Sequence, residues 1–185
     1  LNTVMLWQNP FVEGSVDPFD PAAAWPSSTI MSGGYRARTL ALSDLDRDGF
    51  DDAIPGSGEG AGREVRAYEN PHGSSSISGW PLAQTIPSTL NEVHAVDAID
   101  SDRDGDPDIY YGTLGGELFW VNNSLVHRDA YERFGVKANT SMHSIAEIDV
   151  GDIDNDGSLD VASAGGYINP AREENYGSFS TFYFE

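Results

Sequence analysis

Cysteine is absent from the 185 residues, so neither a disulfide framework nor a thiolate metal site is available, and the redox compartment cannot be read from it. Lysine is nearly absent too. Ten basic residues, of which only Lys137 is a lysine, face thirty acidic ones, for a formal net charge of −20. Such a surface repels phosphate, which argues against nucleic acid and anionic membranes as partners and leaves neutral, cationic or metallic ones. No apolar run approaches the roughly 20 residues of a membrane span, so direct membrane insertion is not expected. The start at Leu1 shows neither an initiator Met nor a signal-peptide pattern, and reads as a mature or trimmed piece of something longer. What remains is 39% hydrophobic, enough to bury a core and too short for more than one or two ordinary domains.

The acidic residues are not scattered. The pattern D-x-D-x-D-G-x-x-D occurs three times, as DLDRDGFDD from Asp44, DSDRDGDPD from Asp100 and DIDNDGSLD from Asp152, with starts 56 and 52 residues apart. A period of that size marks propeller blades or solenoid units. Leu40 and Leu42, Val96 and Ala98, and Ile148 and Val150 stand four and two residues before their loops. Alternation of that kind is a half-buried strand running into each loop. The runs DAIPG, DIYYG and DVASAG read as strands leaving it.

Farther on, Glu64–Asn70, Glu117–Asn123 and Phe179–Glu185 read as one aromatic-rich strand repeated in phase, and Val4–Asn9 matches it. Upstream, Trp25-Pro26 and Trp80-Pro81 introduce Thr29-Ile30 and Thr85-Ile86 at equal distances from their loops. Each period thus reads as four short strands with no helix, separated by linkers rich in Pro, Gly and Ser. The expected fold is all-β, with four-stranded antiparallel β-propeller blades, because radial packing protects the strand edges of such a unit. The units are placed at 25–70, 80–123 and 134–185, with 1–9 as the last strand of a preceding blade. The remaining blades would come from a longer chain or from other chains.

The loops point to calcium, a hard cation that takes six to eight oxygens at about 2.3–2.6 Å. Alternate residues of a tight loop turn inward and Gly permits the bend. Expected side-chain ligands are Asp44, Asp46, Asp48 and Asp52; Asp100, Asp102, Asp104 and Asp108; and Asp152, Asp154, Asp156 and Asp160. Phe50, Asp106 and Ser158 would each add a backbone carbonyl. Without a cation these carboxylates repel each other, and a divalent ion reverses that term. An EF-hand shares the first six positions but needs a Glu at the twelfth, where Pro55, Tyr111 and Ser163 stand.

With these residues in view, nearly the whole chain resembles the FG-GAP and VCBS repeats of integrin α propellers and of many secreted bacterial proteins. The resemblance implies a structural Ca2+ in a hairpin loop between two strands of each blade, three in all, and a secreted or cell-surface location. The third repeat departs from the pattern in its insert YINPAREENYGS and its lack of Trp-Pro.

Other features read as structural. The stretch GSGEGAG from Gly56 lacks the Lys-Ser/Thr ending of a phosphate cradle and leads into a strand, so it is a hairpin loop. His72, His94, His127 and His143 share no spacing, and Trp7, Trp25, Trp80 and Trp120 recur in phase as packing residues between units. Asp97 and Asp149, three residues before their loops, are expected to support the ligands from behind. Asn122-Asn123-Ser124 and Asn139-Thr140-Ser141 match the glycosylation sequon. One Lys, scattered Arg and unphased His form no catalytic constellation, so no catalytic residue is assigned. The expected function is a calcium-stabilised interaction module that binds a protein or glycan. The alternatives are the propeller part of a secreted polysaccharide lyase or hydrolase, and a structural subunit of a surface assembly or filament.

Overall fold

A computed structural model describes residues 3–7, 27–33, 36–58, 63–72, 79–87, 91–123, 133–138, 144–165 and 180–184. Trp25, His127, His143, the sequon at Asn139, Ser124 of the other sequon, the glycines at 60 and 62 and the insert at 167–178 lie outside them. Among the described residues there are thirteen strands and no helix: β1 (Thr3–Trp7), β2 (Ser27–Ser32), β3 (Ala37–Ser43), β4 (Asp52–Ser57), β5 (Glu64–Tyr68), β6 (Leu82–Pro87), β7 (Val93–Ile99), β8 (Asp108–Thr113), β9 (Glu117–Val121), β10 (Arg133–Ala138), β11 (Ile145–Gly151), β12 (Asp160–Gly165) and β13 (Ser180–Phe184). They form four antiparallel meanders, β1-β2, β3-β4-β5-β6, β7-β8-β9-β10 and β11-β12-β13. These are called the first to fourth sheets below.

The sheets stack face to face because their middle strands are apolar on both faces. In β4, Ala53 packs with Val4, Ile30 and Met31 of the first sheet, while the next residue, Ile54, packs with Val93, Val96 and Tyr111 of the third. In β8, Ile109 and Tyr111 turn to the second sheet and Tyr110 to Ile145, Ile148 and Val161 of the fourth. Period-two geometry sends successive side chains to opposite neighbours, so each residue of these strands has a sheet to bury against. The leading strands β3, β7 and β11 lie side by side through the stack.

The second, third and fourth sheets each begin one strand later than the spacing predicts. Thr85 and Ile86 lie on β6, which pairs with β5, so the second sheet spans 37–87 and the strand at Leu82 does not belong with the loop that follows it. Likewise β10 closes the third sheet on β9 rather than opening the fourth, and β1 pairs with β2. A repeat has the same period wherever it is cut; only the backbone hydrogen bonds fix the cut. Trp80 is buried between the first and second sheets, whereas Trp7 is 58% exposed and does not serve the packing role its phase predicts.

Corresponding positions differ in a telling way. Val96 is buried against the second sheet and Ile148 and Val150 against the third, but Leu40 and Leu42 of β3 are 45% and 58% exposed. The described part of the first sheet holds only β1 and β2, and neither packs substantially on β3. Small residues mark the reverse face. A Cβ on Gly56 would sit 2.6 Å from Val93 Cγ1, and one on Gly112 2.7 Å from Ile145 Cβ, so the leading strand of the following sheet touches backbone at both positions. The equivalent residue of the fourth sheet, on a face against which no described sheet packs, is Ala164.

Polar groups pin the leading strands at the end away from the acidic loops. Arg38 on β3 pairs with Glu92 at 3.4 Å, Glu92 lies 3.3 Å from His94 Nε2, and Ser144 contacts His94 Nδ1 at 3.3 Å. The chain of contacts runs across three sheets, which gives His94 its structural role.

Gly112→Ala forces a Cβ into Ile145 and is expected to destabilise the fold by about 1–3 kcal/mol, the usual cost of overpacking. Urea denaturation checks this, with Ala164→Gly as the control; that change meets no packed sheet and is expected to cost no more than about 1 kcal/mol.

Candidate metal centres

Each acidic segment is the hairpin loop between the first two strands of its sheet: β3 to β4, β7 to β8, β11 to β12. The backbone of the three is the same. Arg47, Arg103 and Asn155 at the fourth position have φ of 63°, 62° and 66°, and Gly49, Gly105 and Gly157 at the sixth have 92°, 96° and 92°. Glycine enters the left-handed region without penalty, but a residue with a Cβ costs roughly 1–2 kcal/mol there. Asparagine tolerates this region, but the two arginines do not, so their fourth positions are held by something else in the loop.

Carboxylates supply that restraint. In the first loop, Asp44 accepts the amides of Asp48 at 3.0 Å and Gly49 at 2.9 Å, and Asp48 accepts that of Phe50 at 2.9 Å. The third loop repeats the set, with Asp152 accepting Asp156 and Gly157 at 3.1 and 3.0 Å and Asp156 accepting Ser158 at 2.7 Å. In the second loop Asp102 accepts Asp104 and Asp104 accepts Asp106. There Oδ1 of Asp100 is buried with no hydrogen-bond partner. A buried carboxylate oxygen left in that state carries its full desolvation cost.

The folding of the loops brings together three of the four expected carboxylates in each. Oxygens of Asp44, Asp46 and Asp48 lie within 4.8 Å of one another, as do those of Asp100, Asp102 and Asp104 and those of Asp152, Asp154 and Asp156. Two oxygens on opposite sides of one calcium are about 5 Å apart, so each trio spans a single hard cation. The donor set fits: all oxygen, each trio carrying three negative charges when ionised, with an orphaned buried oxygen in the second loop.

The fourth carboxylate stands outside the trio and braces the loop instead. Asp52 accepts the amides of Leu45 at 3.1 Å and Asn70 at 2.8 Å; Asp108 accepts those of Ser101 and Asn123 and the Ser101 hydroxyl at 2.6 Å; Asp160 accepts Ile153 at 2.9 Å. These aspartates are buried at the start of the outgoing strand and tie the second residue of the loop to it. Phe50, whose carbonyl was the expected ligand, stacks its ring on His72 at 4.9 Å, and His72 Nε2 lies 2.8 Å from Asp48 Oδ2. Asp97 accepts the amide of its own neighbour Ala98, and among the described residues neither it nor Asp149 is bonded to a loop. Both sit on strand faces rather than at the strand end, which overturns their expected support of the ligands.

Electrostatics follow the crowding. Burial pushes the Asp52 carboxyl up to about 6; the charges of Asp46 and Asp48 add to the rise, and the amides of Asn70 and Leu45 oppose it. Burial also raises Asp102, with Asp108, Asp104 and Asp100 adding to the rise, and it raises the Tyr110 hydroxyl.

Two residues that spacing does not single out join the first loop to the second. Asn123, buried at the end of β9, donates its side-chain amide to the Leu45 carbonyl at 2.7 Å. Arg47 reaches the other way, donating Nε to the Gly105 carbonyl at 2.7 Å and Nη2 to the Asp104 carbonyl at 2.8 Å, and pairing with Asp106 at 2.6 Å. The one available signal is Asn70 and Asn123 closing equivalent strands.

Neither a protein-family model nor a curated protein matches this chain.

A folded-state carboxyl raised from 3.8 to about 6 holds a proton that the unfolded chain releases in between. The stability it contributes is therefore full below about pH 4 and is lost as pH rises to about 6. In chelator, the wild type is expected to lose more stability between pH 4 and 6.5 than Asp52→Asn does. Denaturation midpoints of both proteins across that range check the difference.

Proposed function

We propose that the chain is a calcium-stabilised β-propeller segment, with its sheets as blades, serving as a protein- or glycan-binding module of a secreted or cell-surface protein. The observation that carries this reading is the threefold recurrence of one loop at the same place in three successive sheets, each time gathering three carboxylates within 4.8 Å. A solvated acidic surface has no reason to repeat its backbone angles. The meander order, the adjacent leading strands and the FG-GAP and VCBS-like motif support the blades. The exposed Leu40 and Leu42, at positions buried elsewhere in the stack, support a further blade beside β3.

In each loop the aspartates at the first, third and fifth positions would hold the ion, which supplies the positive charge that lets the carboxylates share one space. The chain's own work is to fix the hairpin, which Asp52, Asp108 and Asp160 do by anchoring its second residue. Ligand binding falls to other surfaces, since a loop repeated in every blade serves the blade.

Ions that bind only the folded state stabilise it by about 2.7 kcal/mol per site at a concentration a hundredfold above Kd. Chelation is expected to lower the melting temperature by several degrees and calcium to restore it, with magnesium restoring less because it demands a tighter octahedral shell. Melting curves that coincide in calcium and chelator contradict the metal. A glycan array and a panel of extracellular-matrix proteins, probed with the calcium-loaded chain, test the module: binding lost on chelation supports it, and no binding to either contradicts it.

A further inference from the structure

Arg47 belongs to the first loop by sequence and to the second by contact. Its backbone stands between Asp46 and Asp48, two of the three converging carboxylates, at a left-handed φ of 63°. Its side chain makes two hydrogen bonds to consecutive carbonyls of the second loop, at Asp104 and Gly105. A Cβ on Gly105, whose φ of 96° already calls for glycine, would meet the guanidinium, so the arginine lies directly on the backbone of the second loop. Asp106, 1% exposed, neutralises the arginine at 2.6 Å. The bridge therefore brings little net charge to the second loop and acts mainly through geometry, orienting the peptide groups between Asp104 and Asp106.

The bridge needs two residues in successive loops, a fork-shaped donor at the fourth position and a carboxylate at the seventh of the next. Arg47 and Asp106 meet that condition. Arg103, at the same backbone angle, does not: the third loop carries Ser158 at the seventh position, and among the described residues Arg103 makes no bond to it. Asn123 strengthens the first pair from the other side by holding the Leu45 carbonyl while its own amide donates to Asp108.

We propose that Arg47 is a positioning residue for the second loop, so that the first and second loops take up calcium cooperatively while the third fills independently. The inference rests on the metal reading above. Ordering of the first loop fixes the arginine, the arginine orders the second loop, and by linkage the effect runs equally in reverse. Direct repulsion between two bound cations has the opposite sign, so it cannot imitate the effect.

Gly49, Gly105 and Gly157 place one glycine amide in each loop, and 1H–15N spectra during a calcium titration follow the three separately. Disabling the first loop with D44N/D46N is expected to move the Gly105 midpoint at least about fivefold to higher calcium, the lower end of ordinary coupling between sites, and to leave Gly157 unmoved. In an R47A background the same disabling change is expected to move Gly105 less than twofold. The unmoved Gly157 midpoint reports that the fold survives, and D46N alone is a milder substitute if the double variant unfolds. A Gly105 midpoint that ignores the first loop, or that shifts equally with and without Arg47, overturns the coupling and leaves the metal reading standing. If no glycine responds to calcium, the metal reading falls and the coupling with it.

Discussion

Three carboxylates confined within 4.8 Å set the terms for everything around them. Each pair of unit charges at that separation repels by about 1 kcal/mol in water and by about four times as much near a protein surface. The loops nonetheless share one backbone, with a left-handed fourth residue, because amide donors within each loop face the aspartates and oppose part of the repulsion. What those donors leave unbalanced is the unpartnered oxygen of Asp100 and the raised carboxyls of Asp52 and Asp102. One hard divalent cation per loop would offset that imbalance, which is the reason for proposing calcium as part of the fold and not as the occupant of a ligand site on its surface.

The loops are also where the sheets meet. Face-to-face packing of apolar middle strands is non-directional and by itself leaves the sheets free to slide. Directional contacts fix the second and third sheets at both ends: Arg47 and Asn123 beside the loops, Arg38 and Glu92 at the far end of the leading strands. Backbone contact at Gly56 and Gly112 sets the spacing in between. The third and fourth sheets have the glycine contact and the His94–Ser144 contact but, among the described residues, no arginine pair between their loops, where Ser158 stands in place of the aspartate. Adjacent interfaces built from one repeat thus differ in how firmly their loops are joined.

Much of this was legible in the sequence. The alternation before each loop, the turn-forming glycine and the aromatic strand after it gave the hairpins and the third strands, because period and turn chemistry are local properties. The three converging carboxylates were also visible, since alternate residues of a tight loop face one way. The division into sheets was not, because Leu82–Pro87 keeps its spacing from both neighbours and chooses β5 only through hydrogen bonds. Nor was the bracing role of Asp52, Asp108 and Asp160, which depends on amides brought near by folding. Arg47 reads as an ordinary exposed variable position until the second loop is set beside it, and Leu40 and Leu42 read as core until the face beside them proves uncovered.

Native mass spectrometry of the full chain in trace calcium is the most direct test of the central claim, that each acidic hairpin holds one ion. Three calcium ions per chain are expected, falling to two in each of D46A, D102A and D154A. A wild-type chain that carries no calcium, or single variants that lose none, would contradict it.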